Sequence, residues 1–430
     1  MKIVVVGCGK MGLPLAAHAA FRGNHVLGVD ADIEVVSAIN QGRCHIDEPG
    51  VAELVERGVK SGCLEATHDL AKAAAWAEAV IVLVPVKLTK DKKEDLSAII
   101  NVTREMAPAL QPGVTISYET TLPVGTTRKI LLPILESGGL KVEQSLFLVF
   151  SPERVKSQKV LAHLNDNPKI VGGAGVRSLE KGIALYKAVL NAATIAMPSL
   201  EESEMAKLAG MVYRDVNIAL ANEIALFCEA NGMDAGLIIA AANTDGESNL
   251  LQPGIGVGGH CTPVYPYFLL GRTSGSEGNF DLVRDARRIN DGQAIKQVVR
   301  LEKALGGLEN RNVLIMGLAF RPGVAEDYCS PAYLLRDALM EKKANVFLHD
   351  PVFSDNFIAD RGFKPYSLET GGGIDAAILS TAHAQYLKMD WSTLATRGLA
   401  VVLDGRNAVD HDILASCGIG HIAVGRGETT

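Results

Sequence analysis

The residues that most constrain the fold are Gly7, Gly9 and Gly12, spaced Gly-x-Gly-x-x-Gly directly after the apolar run "KIVVVG" (2–7). An unbroken apolar run suits a parallel strand buried on both faces. A helix is predicted over 11–22, with Gly23 at its end. Strand, glycine turn and helix in that order open a dinucleotide-binding βαβ unit. The first glycine makes the tight turn, the second lets backbone approach a pyrophosphate, and the third lets the helix pack on the sheet. The helix N-terminus then faces the anion. Asp30 lies 18 residues after Gly12, at the end of the next predicted strand, "HVLGVD" (25–30). A carboxylate there accepts hydrogen bonds from a ribose and repels a 2′-phosphate, so NAD is expected rather than NADP. Lys10 and Met11 inside the fingerprint, and Pro85 at the end of a later strand, complete the expected cofactor contacts. A bare glycine pattern is also a common tight turn; the strand, helix and acid around it carry the reading.

The alternation continues. Strands are predicted at 79–85, 114–119 and 146–152, and repeated βα units make an α/β, doubly wound sheet. From 200 to 231 the pattern becomes helical over some thirty residues, ending at Gly232, long for a globular helix. Such a helix joins two lobes or packs on a partner chain. Further helices are predicted over 234–242 and 278–305, then a second α/β region with strands at 312–320, 344–351, 376–382 and 399–407. Its "IMGLAF" holds one glycine where the first region has three, which suits another ligand, such as a mononucleotide. A chain of 430 residues is too long for one ordinary core. Asp and Glu outnumber Lys and Arg, 49 to 42, so a nucleic-acid partner is not expected. Seven scattered cysteines without C-x-x-C point to neither a disulfide frame nor a metal site. With a strand at the start in place of a signal peptide, and no membrane-length apolar run, a cytoplasmic enzyme is expected.

One cysteine stands apart. In "GIGVGGHCTPVYPY" (254–267), Cys261 follows a glycine-rich loop and precedes two prolines. A packing cysteine normally sits in a helix or strand; this one sits where backbone and sulfur can approach a ligand. With NAD, a thiol has a particular use. It adds to the aldehyde made by a first hydride transfer, the thiohemiacetal loses a second hydride, and the thioester is hydrolysed to an acid. The glycine-loop N–H groups help ionise the thiol. Taken alone, Cys261 is as well explained by inert packing.

These residues resemble the UDP-glucose/GDP-mannose dehydrogenase family, and within it the UDP-N-acetylhexosamine branch. The resemblance rests on "VVVGCGKMGLPLA", "INQGRCHIDEPGV" (39–51), "ETTLPVGTT" (119–127), "SPERV" (151–155), "EMAKL" (204–208), "RDVNIALANE" (214–223), "GVGGHC" (256–261) and "DGRN" (404–407), and covers nearly the whole chain. It implies two Rossmann-like domains joined by a long central helix through which subunits form a homodimer. The implied boundaries are an NAD-binding domain over 1–198, a central helical domain over 199–306 and a nucleotide-sugar-binding domain over 307–430. It implies Cys261 as nucleophile and Lys207 as the cation beside developing oxyanions. It also implies Glu153 as the acid assisting proton transfer and hydrolysis, and Thr121 beside the nicotinamide and reacting carbon. A cation near an alkoxide lowers the barrier, and a carboxylate relays protons through water. By themselves Lys207 is a solvated helix residue and Glu153 a capping acid. Substrate contacts are expected from Arg154, Gly258, Arg214, Asn217, Arg321 and Arg406, besides Glu153 and Lys207. Arg214 and Asn217 share a helix face and either reach substrate or only hold the helix. Arg321 and Arg406 suit phosphates and suit surface ion pairs equally.

The chain departs from the family pattern around the sugar. Met211 stands where "KLxxN" has asparagine, Tyr265 where GGHCxxxD has aspartate, Glu247 where a related loop has arginine, and "YCSP" (328–331) where arginine-glutamate-serine-proline is found. The expected activity is NAD-dependent oxidation of the C6 alcohol of a UDP-hexose or UDP-N-acetylhexosamine to the uronic acid, without a metal. The alternative is a two-electron oxidation of a related nucleotide sugar, because Met211 and Tyr265 replace the groups that position lysine and water.

Overall fold

A computed structural model describes residues 1–271 and 279–427. Residues 272–278, where the predicted helix 278–305 begins, and residues 428–430 lie outside the described residues. The chain divides into two compact units, Met1–Gly210 with Tyr267–Ser274, and Met211–Pro266 with Gly275–Thr430.

The first unit is built on an eight-stranded sheet. Across it run Thr194–Met197, Lys169–Gly173, Leu146–Phe150, Val114–Tyr118, Ala79–Val82, Lys2–Val6, His25–Val29 and Leu64–Thr67. Helices cover both faces, so the central strands are buried throughout, and Ala79–Val82 and Leu146–Phe150 read as unbroken apolar runs. The polar side chains that enter this core are paired: Tyr118 Oη lies 2.7 Å from Thr103 Oγ1, and Ser117 Oγ lies 2.7 Å from Tyr186 Oη. Strand order reverses on either side of Lys2–Val6, which puts the topological switch point at the first glycine turn. Pairing is parallel except between Leu146–Phe150 and Lys169–Gly173, which run antiparallel. The last two strands are thus reversed relative to the βα repeat that precedes them.

In the second unit a six-stranded parallel sheet runs Lys364–Pro365, Asn345–His349, Asn312–Met316, Ala376–Leu379, Val401–Asp404, Gly420–Ala423. Two apolar clusters cover its faces, one around Leu335 and Leu339, the other around Trp391 and Tyr386. The long helix is Leu200–Ala230, 31 residues, and its chain passes from the first unit into the second at Gly210. The predicted helix over 278–305 is instead two, Asp281–Asp291 and Gln293–Leu305, separated at Gly292. Asp281–Asp291 is fixed to the long helix by a buried polar cluster. Arg287 Nη1 donates to Asp215 Oδ1 at 2.7 Å, Asn290 Nδ2 donates to the same oxygen at 2.8 Å, and Asn222 Nδ2 donates to Asn290 Oδ1 at 2.9 Å.

Candidate active site

The glycine fingerprint has the geometry its spacing requires. Gly7 has φ +92°, and a Cβ there would sit 3.1 Å from the Leu83 carbonyl of the adjacent strand's exit. A Cβ on Gly12 would sit 1.7 Å from Gly7 O, so only glycine closes this turn. A Cβ on Gly9 would meet nothing within 4 Å. The protein alone does not require glycine at position 9; a ligand lying on that backbone does. The helix Gly12–Phe21 begins here. Asp30 Oδ2 accepts the Cys8 N–H at 2.8 Å and Oδ1 accepts the Asp32 N–H at 3.0 Å, so the carboxylate is clamped to the turn. Lys10 and Pro85 are exposed and Met11 is partly buried. Thr121 is buried in the loop after Val114–Tyr118, and its neighbour Thr120 donates to Val84 O at 2.7 Å. Gly7, Asp30, Pro85 and Thr121 thus follow four adjacent strands, at the sheet edge where a dinucleotide is held.

Glu153, in the loop after Leu146–Phe150, meets Lys207 of the long helix. Glu153 N–H donates to Glu119 O at 3.2 Å, and its Oε1 accepts the Val155 N–H. Lys207 is 5% exposed; its Nζ donates to Glu153 O at 2.6 Å and lies 3.8 Å from Glu153 Oε2. An ammonium this buried is compensated by that carbonyl and carboxylate, and its charge is held at one place. The reading of Lys207 as a solvated helix residue is excluded by this burial. Arg154 donates to Pro168 O, and burial pulls its pKa down against the charge of Glu153.

Sequence reasoning missed the residues behind these groups. Glu204 is fully buried and accepts from Gly125 N at 2.5 Å, Thr127 N at 2.9 Å and Thr127 Oγ1 at 2.7 Å; burial raises its pKa against those donors. Glu119 accepts Lys169 Nζ at 2.7 Å and Tyr186 Oη at 2.8 Å. Glu204 precedes Lys207 by one helical turn, and that i, i+3 spacing was the available signal.

The thiol loop lies in the second unit. Gly254 N–H donates to Asn222 Oδ1 and Ile255 N–H to Gly405 O, at 2.9 and 3.0 Å. Gly259 has φ +101°, and a Cβ on Gly258 would sit 2.6 Å from Phe320 Cβ, so both glycines are required where this loop crosses Phe320. Cys261 is partly buried, and its carbonyl accepts from Val264 N and Tyr265 N as the helix Tyr265–Leu270 begins. Arg406 donates from Nε to Ser380 O at 2.9 Å, and a Cβ on Gly254 would sit 2.8 Å from its Nη1. Burial lowers its pKa, opposed by Asp404. Arg321 is partly exposed one residue after Phe320. Asn217 is committed to structure, donating to Asn249 O at 2.7 Å and accepting from Leu251 N at 2.8 Å; Arg214 is exposed on the same helix. In this sheet the counterpart of Asp30 is Asp350, which is buried and accepts Leu318 N and Ala319 N at 2.7 and 2.8 Å, with His383 Nε2 at 3.3 Å. Its Oδ1 accepts Val352 N at 2.9 Å, so it clamps its own glycine turn as Asp30 does. Among the described residues no helix is long and apolar enough to cross a membrane.

Three domain profiles of one family match the chain in order. They are the UDP-glucose/GDP-mannose dehydrogenase family NAD binding domain over residues 1–190, its central domain over 201–292 and its UDP binding domain over 314–411. The chain is 33% identical over 413 residues to the NDP-N-acetyl-D-galactosaminuronic acid dehydrogenase of Ralstonia nicotianae, covering 94% of this chain and 95% of the relative. It is 31% identical over 414 residues to the UDP-N-acetyl-D-mannosamine dehydrogenase of Pyrococcus horikoshii, covering 95% and 96%. A solved structure of the UDP-D-ManNAc dehydrogenase from Pyrococcus horikoshii matches with a TM-score of 0.90 at 29% identity over 100% of both chains.

Proposed function

The chain belongs to the UDP-glucose/GDP-mannose dehydrogenase family, and from that premise we propose that it oxidises the C6 alcohol of a UDP-N-acetylhexosamine to the uronic acid through a thioester on Cys261. It is an NAD-dependent oxidoreductase. The three functional regions we assign are 1–198 for the cofactor, 199–306 for the central helical domain and 307–430 for the nucleotide. A cytoplasmic setting, where NAD is supplied, is part of this reading. The observation that carries it is Cys261, a partly buried thiol at the end of a glycine loop whose shape Phe320 and Asn222 enforce.

When bound, NAD would supply the hydride acceptor for both oxidations. The fingerprint turn and Asp30 would hold it by its pyrophosphate and ribose. Lys207 stabilises the alkoxide and the thiohemiacetal oxyanion as negative charge develops. The thiol proton of Cys261 leaves as sulfur bonds to the aldehyde carbon. Arg406 and Arg321 hold the nucleotide phosphates, a use that suits a guanidinium already partly desolvated. Water then cleaves the thioester. In sum one alcohol, one water and two NAD+ give one carboxylate, two NADH and three protons. The comparisons do not favour the two-electron alternative.

The test is NADH formation with UDP-N-acetyl-D-mannosamine, UDP-N-acetyl-D-galactosamine and UDP-glucose. Two NADH per sugar with wild type, and no acid from Cys261→Ala, is the expected result; full acid production by that variant would remove Cys261 from the reaction. We also propose a homodimer through the long helix. Tyr213, Leu220 and Phe227 recur every seven residues and are 56%, 48% and 63% exposed, an apolar stripe suited to a second copy. Leu220→Glu should halve the mass measured by light scattering, and an unchanged mass would rule out this surface.

A further inference from the structure

The residue before the thiol is a histidine whose ring is held in place. His260 Nδ1 lies 3.2 Å from Glu326 Oε2, and the ring stacks on Tyr328 with centroids 4.5 Å apart and planes 12° apart. The backbone fixes the same partners. Gly259 N–H donates to Tyr328 O at 2.9 Å, and Phe320 N–H donates to Glu326 O at 3.0 Å. A Cβ on Gly259 would meet the Phe320 ring at 3.0 Å. The imidazole is therefore positioned from below by Tyr328, from one edge by Glu326 and from its own backbone by Phe320.

The exposures are unequal. The His260 side chain is 54% accessible and that of Glu326 only 11%. A shielded carboxylate at the Nδ1 edge draws the ring proton to Nδ1, which leaves Nε2 as the basic nitrogen of a ring that reaches water. Carboxylate and imidazole in this arrangement match the base–orienter half of the pattern that activates water or a nucleophile, and the thiol is the next residue in the chain. The titratable groups placed against the ring are Glu326 and the Tyr328 phenol, with Cys261 next in the chain. Tyr265 supplies no carboxylate.

Resting on the thioester reading above, we propose that the Glu326–His260 dyad is the general base that hydrolyses acyl-Cys261. His260 Nε2 takes a proton from water as the water oxygen bonds to the thioester carbonyl carbon. The tetrahedral adduct collapses, the C–S bond breaks, and the electron pair leaves on sulfur. His260 returns its proton to the Cys261 thiolate, and the carboxylic acid loses its proton to solvent. Glu326 stays ionised throughout and stabilises the transient imidazolium.

The test separates this step from substrate choice. p-Nitrophenyl acetate acetylates the full-length protein, the acetyl group is located by peptide mass, and its loss from Cys261 is followed over pH 5–9. Wild type should deacetylate along a limb that rises with pH. His260→Gln should lose that limb and slow deacetylation by about 10²-fold or more. Glu326→Gln should retain the limb with a slower plateau. A purely structural role would move the thermal midpoint and leave the profile's shape alone. Unchanged rate and profile in His260→Gln with a native circular dichroism spectrum would overturn the proposal. Failure of every nucleotide sugar to yield NADH, with the deacetylation limb still tied to His260, would reject the proposed substrate and keep the dyad.

Discussion

Gly9 and Gly12 differ in what a methyl group would strike, and that difference separates folding from binding. Gly12→Ala drives a Cβ into Gly7 O, so its thermal midpoint should fall and NAD should no longer protect it. Gly9→Ala has open space, so the midpoint should stay within about a degree or two of wild type. Its KM for NAD should rise about tenfold or more, equivalent to roughly 1.4 kcal/mol of lost binding. An unchanged KM for Gly9→Ala would mean that no pyrophosphate lies on that backbone. Asp30→Ala removes the acceptor for Cys8 N and Asp32 N as well as the proposed ribose contact. We expect the NAD-over-NADP ratio of kcat/KM to shrink and stability to fall by about 1–3 kcal/mol, measured by denaturant titration. Equal or better kcat/KM with NADP in wild type would refute the cofactor assignment. The glycines and the acid were legible in sequence because backbone sterics and a single charge decide them. The second duty of Asp30, clamping the turn, was not, because its donors are backbone groups that carry no sequence signature.

The first part of the long helix carries three charged residues at three-residue spacing, each reaching a different partner. Arg128 Nε donates to Glu201 Oε1 at 2.7 Å, Glu204 accepts the Gly125–Thr127 turn, and Lys207 donates to Glu153 O. That turn follows Thr121, so the element braces both loops assigned to the chemistry. Glu204→Gln keeps one acceptor oxygen but turns an NH2 toward groups that are themselves donors. It should lose about 2–3 kcal/mol of stability and lower kcat more than it raises KM for NAD, because the cofactor turn is elsewhere. A variant with wild-type kcat would show that this brace is not needed for turnover. In sequence "EESEMAKL" reads as a solvated polar face; only tertiary packing reveals that Glu204 is buried. Strands such as Ala79–Val82 and Leu146–Phe150 were found because they are apolar throughout. Leu64–Thr67, Thr194–Met197 and Gly420–Ala423 escaped, being four residues each, partly exposed or polar in pattern. Lys169–Gly173 escaped because two of its five residues are glycine, and its reversed direction is a property of pairing that no period encodes.

For the whole reaction the decisive quantity is how many electrons leave each sugar and how fast water arrives. Met211 and Tyr265 stand where the family pattern has groups that hold the hydrolytic water. Methionine is a weak acceptor, and a phenol is a poor base at neutral pH compared with a carboxylate. Loss of one positioned proton-transfer group slows its step by about 10²–10⁴-fold. On the roles proposed for Lys207 and Cys261, the hydride transfers do not depend on that group. Oxidation should therefore outrun hydrolysis. We predict a burst of two NADH per active site, followed by a slower steady rate, with an acyl adduct on Cys261 visible by intact mass in samples quenched during the steady state. A single NADH per sugar with no adduct and a carbonyl product would establish the two-electron alternative. Two NADH with no burst would place the slow step before the thioester, and Tyr265 would then be no handicap to hydrolysis.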